Sequence, residues 1–372
     1  MIYSKTAGII FSNSNDKALK EFTANRSMAS LPFAGRYRLI DFAISNLVNA
    51  GIQNVGVITN RNYNSLLDHL GSGLFWDLDR KSGGLSIVPP FIGGNSKTDD
   101  ELDCILRAIE YIKRRNCEYV VACESGFVAN LDIKKIVEAH IEKKADVTLV
   151  YRETERPDKF AGTLKLKVDK DEKVASAENA LLSKTGGKLT IGVHVFTRSA
   201  FNDILSTALN SENPAISEII SEKTGKYRVY GYEHKGFVGV IDSRKSYFET
   251  GMELLDKEVR DDLFNKERPI YTKTKDDMPT RYGLYSDVSN SIIADGCIID
   301  GTVKNSVLFR GVRVKRGAVV ENCILMQGVE VRENSTLKYV TSDKNAVIGG
   351  KAPITGTNRK AFIVKKNQVL TD

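Results

Sequence analysis

Groups able to do chemistry are sparse in this chain, and their spacing limits the reactions they can serve. A nucleotide-binding α/β domain usually places a glycine-rich turn after its first strand, because backbone N–H groups must approach phosphate closely. Here the first apolar run, residues 7–11, is followed by Ser12-Asn13-Ser14-Asn15-Asp16-Lys17, with no glycine. The four histidines, His69, His140, His194 and His234, are scattered, and none lies beyond residue 285. His69, near a helix end, reads as a phosphate contact or, more simply, as a hydrogen-bonded histidine. Trp76 reads as a packing residue. Cys104, Cys117 and Cys123 stand 13 and 6 residues apart across helix, turn and strand, which does not favour a shared metal. The five cysteines read as reduced structural thiols in a reducing compartment.

The elements that must position these groups follow two different rules. Over the first half, strand-like runs at 7–11, 54–59, 119–123 and 146–151 alternate with helical spacing at 39–50, 63–70, 102–115 and 133–144. That alternation predicts βαβ units and a mostly parallel, three-layer sheet. Shorter strands follow at 162–168, 188–196 and 227–233, one long helical stretch at 243–263, and a charged, proline-containing linker after it.

Beyond the linker the period changes to six. Ile293 and Ile299, then Leu308, Val314 and Val320, then Leu325, Val331 and Leu337 keep that step, with Gly296, Gly301, Gly311, Gly317 and Gly328 between them. Aliphatic residues at every sixth position predict a β-solenoid whose stacked coils bury one column; an ordinary antiparallel sheet is the alternative. Val307 and Ile324 fall outside that column and predict an apolar outer face, which with the open solenoid end calls for a partner.

Charge and composition exclude several classes. Residues 286–372 hold 13 Lys/Arg against 8 Asp/Glu, without the aromatic interleaving of a nucleic-acid surface. No apolar run reaches the ~18 residues that span a bilayer. The N-terminus lacks a signal-peptide pattern, so the expectation is a cytoplasmic protein with neither nucleic-acid nor membrane partner.

The block Leu31-Pro32-Phe33-Ala34-Gly35-Arg36-Tyr37-Arg38-Leu39-Ile40-Asp41-Phe42-Ala43-Ile44-Ser45-Asn46 is the most specific stretch. With Asn49-Ala50-Gly51-Ile52, His69-Leu70-Gly71-Ser72-Gly73 and Trp76-Asp77-Leu78, it strongly resembles bacterial glucose-1-phosphate adenylyltransferase, the ADP-glucose pyrophosphorylase of glycogen synthesis. The resemblance covers essentially the whole chain. It implies an α/β fold: a nucleotidyltransferase-like (Rossmann-like, GT-A type) three-layer domain over 1–264, a linker over 265–285, and a left-handed β-helix of hexapeptide repeats over 286–372.

It also implies where an active member's groups would fall. The glycine-rich triphosphate turn matches residues 12–17. The catalytic lysine of an R-A-K-P motif matches Met28, within Arg26-Ser27-Met28-Ala29. The adenine-side G-T-A matches Asp100-Glu101-Leu102, where two carboxylates would repel a nucleotide. The two magnesium aspartates match Gly126 and Val240, and the sugar-phosphate lysine matches Ala180. Asp242 does not restore the second, because two residues along an extended chain shift a carboxylate by ~7 Å. Phosphoryl transfer needs carboxylates for Mg²⁺ and cations for the developing charge, and both are missing from these positions.

The pattern is therefore similar to the D-type, regulatory subunits of that family. This implies a chain inactive or very weak alone, with no cofactor or metal of its own and with Mg²⁺ held by a catalytic partner subunit in a heterotetramer. In the family, effector anions lie between the two domains on arginines that match Arg26 and Arg38; Arg suits a phosphate through its planar fork. The plainer alternative is that Arg38 pairs with Asp41 and fixes the strand–helix turn. Rival readings are an active nucleotidyltransferase with displaced ligands and a free-standing sugar-phosphate sensor. A hexapeptide acyltransferase would need a general-base histidine near the coil.

Overall fold

The computed structural model describes residues 2–12, 16–59, 62–90, 100–155, 163–180, 186–211, 216–222 and 225–371. The apolar runs of the first half assemble into a nine-stranded sheet. Its order runs from Val174–Asn179 through Leu164–Val168, Gly187–Thr197, Tyr119–Glu124, Thr6–Phe11 and Asn54–Ile58 to Gly84–Val88. Val147–Thr154 and Val229–Glu233 continue it beside Gly187–Thr197. The strands around Thr6–Phe11 are parallel, while Gly187–Thr197 runs antiparallel to its neighbours. The sheet is therefore mixed, more so than the βαβ pattern predicts.

Successive residues of the first strand feed opposite faces. Ile10 packs with helices Leu39–Asn49 and Ile133–Glu142 on one side, and Ile9 with Asp100–Lys113 and Arg198–Leu209 on the other. A central strand buried on both faces reads as a continuous apolar run. Three layers result. The predicted helix at 243–263 is two helices, Arg244–Glu253 and Lys257–Leu263. The second starts afresh because the Asp256 side chain accepts the Glu258 N–H at 2.8 Å, a cap that ends one helix and begins another.

The second rule holds in full: three parallel ladders of six, five and five strands wind as a left-handed β-helix. Register advances by 17 residues per coil, as in Val303↔Val320↔Leu337 and Val314↔Val331↔Ile348. Two six-residue steps and one five-residue step make up that coil, so the slip between Val320 and Leu325 is a corner. The column Ile299, Leu308, Val314, Val320, Leu325, Val331 and Leu337 is buried throughout.

Two expectations need correction. Val307 and Ile324 point out of the coil, yet they are 1% and 2% exposed. They join Phe33, Phe42, Tyr247 and Phe248 of the sheet domain in one core that crosses the domain boundary. Helix Arg244–Glu253 lies so close that a Cβ on Gly251 would meet Ile324 Cδ1 at 2.6 Å. The apolar outer face is covered from within the chain. The stretch 266–285 is likewise bonded down: Asn49 Nδ2 donates to the Pro269 carbonyl at 3.0 Å, and the Tyr271 N–H to Ser45 Oγ at 2.9 Å. The β-helix ladder begins with Arg281–Tyr282, pairing with Ile298–Ile299.

Because Ile324 is core, Ile324→Ala should cost about 2–4 kcal/mol. Urea unfolding of the full chain checks this; a change within about 0.5 kcal/mol is what a free surface position would give.

Candidate functional site

The C-terminal ends of the parallel strands are where open α/β sheets bind ligands. Residues 13–15 of the first turn and the side chains of Asp16, Lys17, Asp100 and Glu101 lie outside the described residues. The implied lysine and magnesium positions Met28, Gly126, Val240 and Ala180 are described, and all four are buried. Met28, in the short turn Met28–Ser30, packs with Phe33 and Tyr247. Gly126 is buried and its carbonyl accepts the Ile241 N–H at 2.8 Å. Val240 pairs with Phe127 in a two-stranded ribbon, and Val240 and Ala180 share one apolar cluster with Leu189 and Ile191.

Phe127 fills space beside them. Gly192 holds φ +61°, and a Cβ there would lie 2.2 Å from the Phe127 ring, so only glycine lets the ring settle on the sheet. Asp242 is engaged elsewhere: its Oδ1 accepts the Ser246 hydroxyl at 2.7 Å, within the start of helix Arg244–Glu253. No group of three His, Cys, Asp or Glu forms a metal cage among the described residues. Alkyl side chains and a glycine offer no oxygen ligand, so this donor set does not fit Mg²⁺. The cysteines do not converge either; all five are free, and burial pushes the Cys123 thiol up to about 12.

A second site lies at the seam between the domains, where cations gather. Arg26 is 4% exposed, and its Nη2 donates to Asp343 Oδ1 at 2.7 Å and Oδ2 at 2.8 Å. Met326 Sδ lies 3.9 Å from Nη1. Arg38 does not pair with Asp41 through its guanidinium. Its Nη1 donates to the Ser65 carbonyl at 2.6 Å and hydroxyl at 2.9 Å, while its backbone N–H donates to Asp41 Oδ2 at 2.9 Å. Asp41 thus caps helix Leu39–Asn49, and its other oxygen lies 2.6 Å from His69 Nε2. His69 is the hydrogen-bonded histidine of the plainer reading, edge-on to the buried Trp76.

The field at this seam is cationic. Burial pulls Arg38 down to about 10 against the pull of Asp41, so it keeps its charge at neutral pH. Burial, then Arg38 and Arg26, pushes Lys344 down to about 7, with Asp343 only partly offsetting them. Lys344 and Asp343 escape a reading by motif, yet a signal exists. Phe309, Met326 and Asp343 stand 17 apart, one coil each, and the first two belong to the shared core. A carboxylate ending an outward apolar column asks for a buried cation.

Comparison with known proteins follows the same division. The nucleotidyl transferase family profile matches residues 7–257, and that of the GlmU-like, C-terminal hexapeptide matches 277–369. The glycogen biosynthesis protein GlgD of Bacillus subtilis (strain 168) is 32% identical over 377 residues, covering 99% of this chain and 98% of its own. The chain belongs to the nucleotidyl transferase family, among its GlgD-type members. GlgD of Geobacillus stearothermophilus is 35% identical, over 98% of this chain and 97% of its own. The glucose-1-phosphate adenylyltransferase of that organism is 30% identical, over 85% and 83%. GlgD-type and adenylyltransferase relatives therefore both align across the two domains described above.

Two outcomes follow from the seam. Asp343→Asn leaves Arg26 buried without its counter-charge and should cost about 3–5 kcal/mol in urea unfolding of the full chain; an unchanged midpoint would mean that the pair is solvated. Folding lowers Lys344 from 10.5 to about 7, so between those limits the unfolded chain binds more protons and stability rises with pH. Lys344→Met should therefore stabilise most below pH 7, with the gain fading as pH climbs above it. Thermal melts of both proteins from pH 6 to 9 read that difference.

Proposed function

We propose that the chain is the regulatory, non-catalytic subunit of a glucose-1-phosphate adenylyltransferase, which makes ADP-glucose from ATP and glucose 1-phosphate for glycogen biosynthesis in the cytoplasm. The observation that carries this reading is the burial of Met28, Gly126, Val240 and Ala180 in apolar packing, where an active member would hold its lysines and magnesium carboxylates. Phosphoryl transfer relies on positioning and charge stabilisation, and these side chains supply neither. On this reading, Mg²⁺ and the reacting groups belong to a catalytic partner subunit in a heterotetramer. The alignment of both domains with adenylyltransferases supports such a partnership between similar scaffolds.

This chain's own contribution is regulatory. Arg38 and Lys344 both feel the charge of Arg26 at the seam, and Asp343, bonded to Arg26, offsets only part of the cationic field on Lys344. A sugar phosphate entering there would add the missing negative charge, and charge-assisted contacts of this kind contribute about 1.5–3 kcal/mol each. Such a ligand shifts the assembly toward whichever arrangement of the two domains binds it better.

The chain alone should show no Mg²⁺-dependent synthesis of ADP-glucose above background. Added to the catalytic subunit, it should raise turnover or lower the half-saturating concentration of fructose 1,6-bisphosphate or fructose 6-phosphate. Arg38→Ala should raise that concentration about tenfold, the equivalent of one ~1.4 kcal/mol contact. Arg26→Ala should raise it too, but it also opens the Asp343 pair, so Arg38 is the cleaner probe. Turnover by the chain alone that vanishes on Asp242→Ala would overturn the non-catalytic reading. Unchanged activation in both arginine variants would move the effector site elsewhere.

A further inference from the structure

At one corner of the β-helix the first coils do not match in length. Between the ladder that begins with Arg281–Tyr282 and the ladder that begins with Asp287–Ser289, successive turns span 283–286, 300–301, 315–318 and 332–335. The second turn is two residues shorter than the others. Register there advances by 15 residues, as in Ile298↔Arg313, where the coils on either side advance by 17. The short turn is sunk between its neighbours. A Cβ on Gly301 would lie 2.5 Å from the Ala318 carbonyl oxygen and 2.7 Å from that of Lys315, so backbone packs directly on the next coil. What the missing residues leave is a notch of about 320 Å³, with Gly301 and Thr302 among its walls. Tyr285 from the coil before and Arg316 from the coil after meet across it, the guanidinium carbon 3.9 Å from the ring centroid. Glu333 and Asn334, one coil further on, also line it.

The side chains around the notch are not spent on one another. Elsewhere the β-helix pairs its charges between coils, Lys304 with Asp287 at 3.0 Å and Lys338 with Glu321 at 2.8 Å. Arg316 and Glu333 are exposed, and neither forms an ion pair among the described residues. Stacking on Tyr285 holds the guanidinium by its face and leaves the N–H groups on its edge free to donate. Glu333 supplies acceptors, while the Thr302 hydroxyl and the Asn334 amide can both donate and accept. Tyr285, 55% exposed, adds an aromatic surface. This mixture suits a neutral ligand with hydroxyls around its rim and C–H groups on its faces. An anion would meet the carboxylate of Glu333 in the same space. An apolar ligand would desolvate Arg316 and Glu333 without giving them partners. The volume lies at the small end of the ~300–1,000 Å³ range of small-molecule sites, as a compact ligand or the end of a chain requires.

We propose that this notch is a carbohydrate-binding site that takes one hexose unit, of a free sugar or of a glucan. Tyr285 is its platform, and Arg316, Glu333 and Asn334 are the partners of the sugar hydroxyls. The site is separate from the seam, because none of its residues belongs to the core that crosses the domain boundary. It does not depend on the subunit reading above, and its readout needs no catalytic partner.

The test uses the full chain and the single variants Tyr285→Ala and Arg316→Ala. Both side chains are exposed, so the melting temperatures should stay near that of the wild type. In native gels containing glycogen the wild-type chain should run more slowly than in plain gels, and each variant should lose at least tenfold in apparent affinity. Maltose added to the gel should restore the wild-type mobility and assign a small sugar as sufficient. Retardation that only a longer glucan relieves, still lost in both variants, would assign the polymer as the source of the hexose. Wild-type mobility unaffected by glycogen and by maltose would overturn the proposal. Equal retardation of the wild type and both variants would put glucan binding elsewhere on the chain and overturn it too. Retardation by dextran sulfate but not by glycogen would make the notch an anion site instead.

Discussion

The ion pair between Arg26 and Asp343 is buried at both ends, and taking two charges out of water costs several kcal/mol each before any attraction is counted. That cost dictates how the seam around it is built. Asp343 needs more than Arg26, and it receives the Lys344 backbone N–H at 2.7 Å as well. Arg26 needs neighbours that do not compete for it: Met326 Sδ lies 3.9 Å from its Nη1, and the Tyr247 hydroxyl, which feels its charge, donates elsewhere, to the Pro32 carbonyl at 2.7 Å. Apolar residues such as Phe309 and Ile324 could slide past one another at small cost, whereas a guanidinium stranded in that core could not. The pair therefore sets the register of the β-helix on the sheet domain, and the apolar contacts supply the adhesion.

On the proposed regulatory reading, the apolar residues at the implied catalytic positions and the tight seam belong to one physical trade. A cleft that holds lysines and carboxylates for a polyanionic substrate must keep like charges close together and partly desolvated, which lowers stability. With Met28, Val240 and Ala180 in such places, the same backbone closes into core. Met28 joins the cluster that crosses the domain boundary, so a position that would face substrate here adds to the interface.

Much of this was legible in the residues. The six-residue column announced the β-helix because burying one face of a repeating coil leaves a periodic trace. The block around Gly35 was equally telling, and its polar members have visible tasks. Asn46 donates to the Ala129 carbonyl and accepts the Leu131 N–H, and Asp41 caps its own helix. What escaped was non-local. Val307 and Ile324 looked exposed because periodicity reports a coil's own interior and is blind to a helix laid against its outside. Strands Gly84–Val88 and Val174–Asn179 and helix Arg198–Leu209 went unread because edge strands and short amphipathic helices carry weak patterns. Asp343 lies 317 residues from Arg26, and only the 17-residue step of the coil links it to a column.

The two places where cations outnumber their partners are physically adjacent. Asp343 is bonded to Arg26 by its side chain, and its backbone N–H donates to the Val364 carbonyl at 2.9 Å. Val364 closes the strand Phe362–Val364, and the next two residues are the unpaired Lys365 and Lys366. The buried partner of Arg26 is thus hydrogen-bonded to an outer strand of the β-helix. Coupling between sites needs an element whose arrangement both of them bias. The turn of chain around Asp343 is held on one side by Arg26 at the seam and on the other by the strand Phe362–Val364 of the last coil, so the two are joined through one residue.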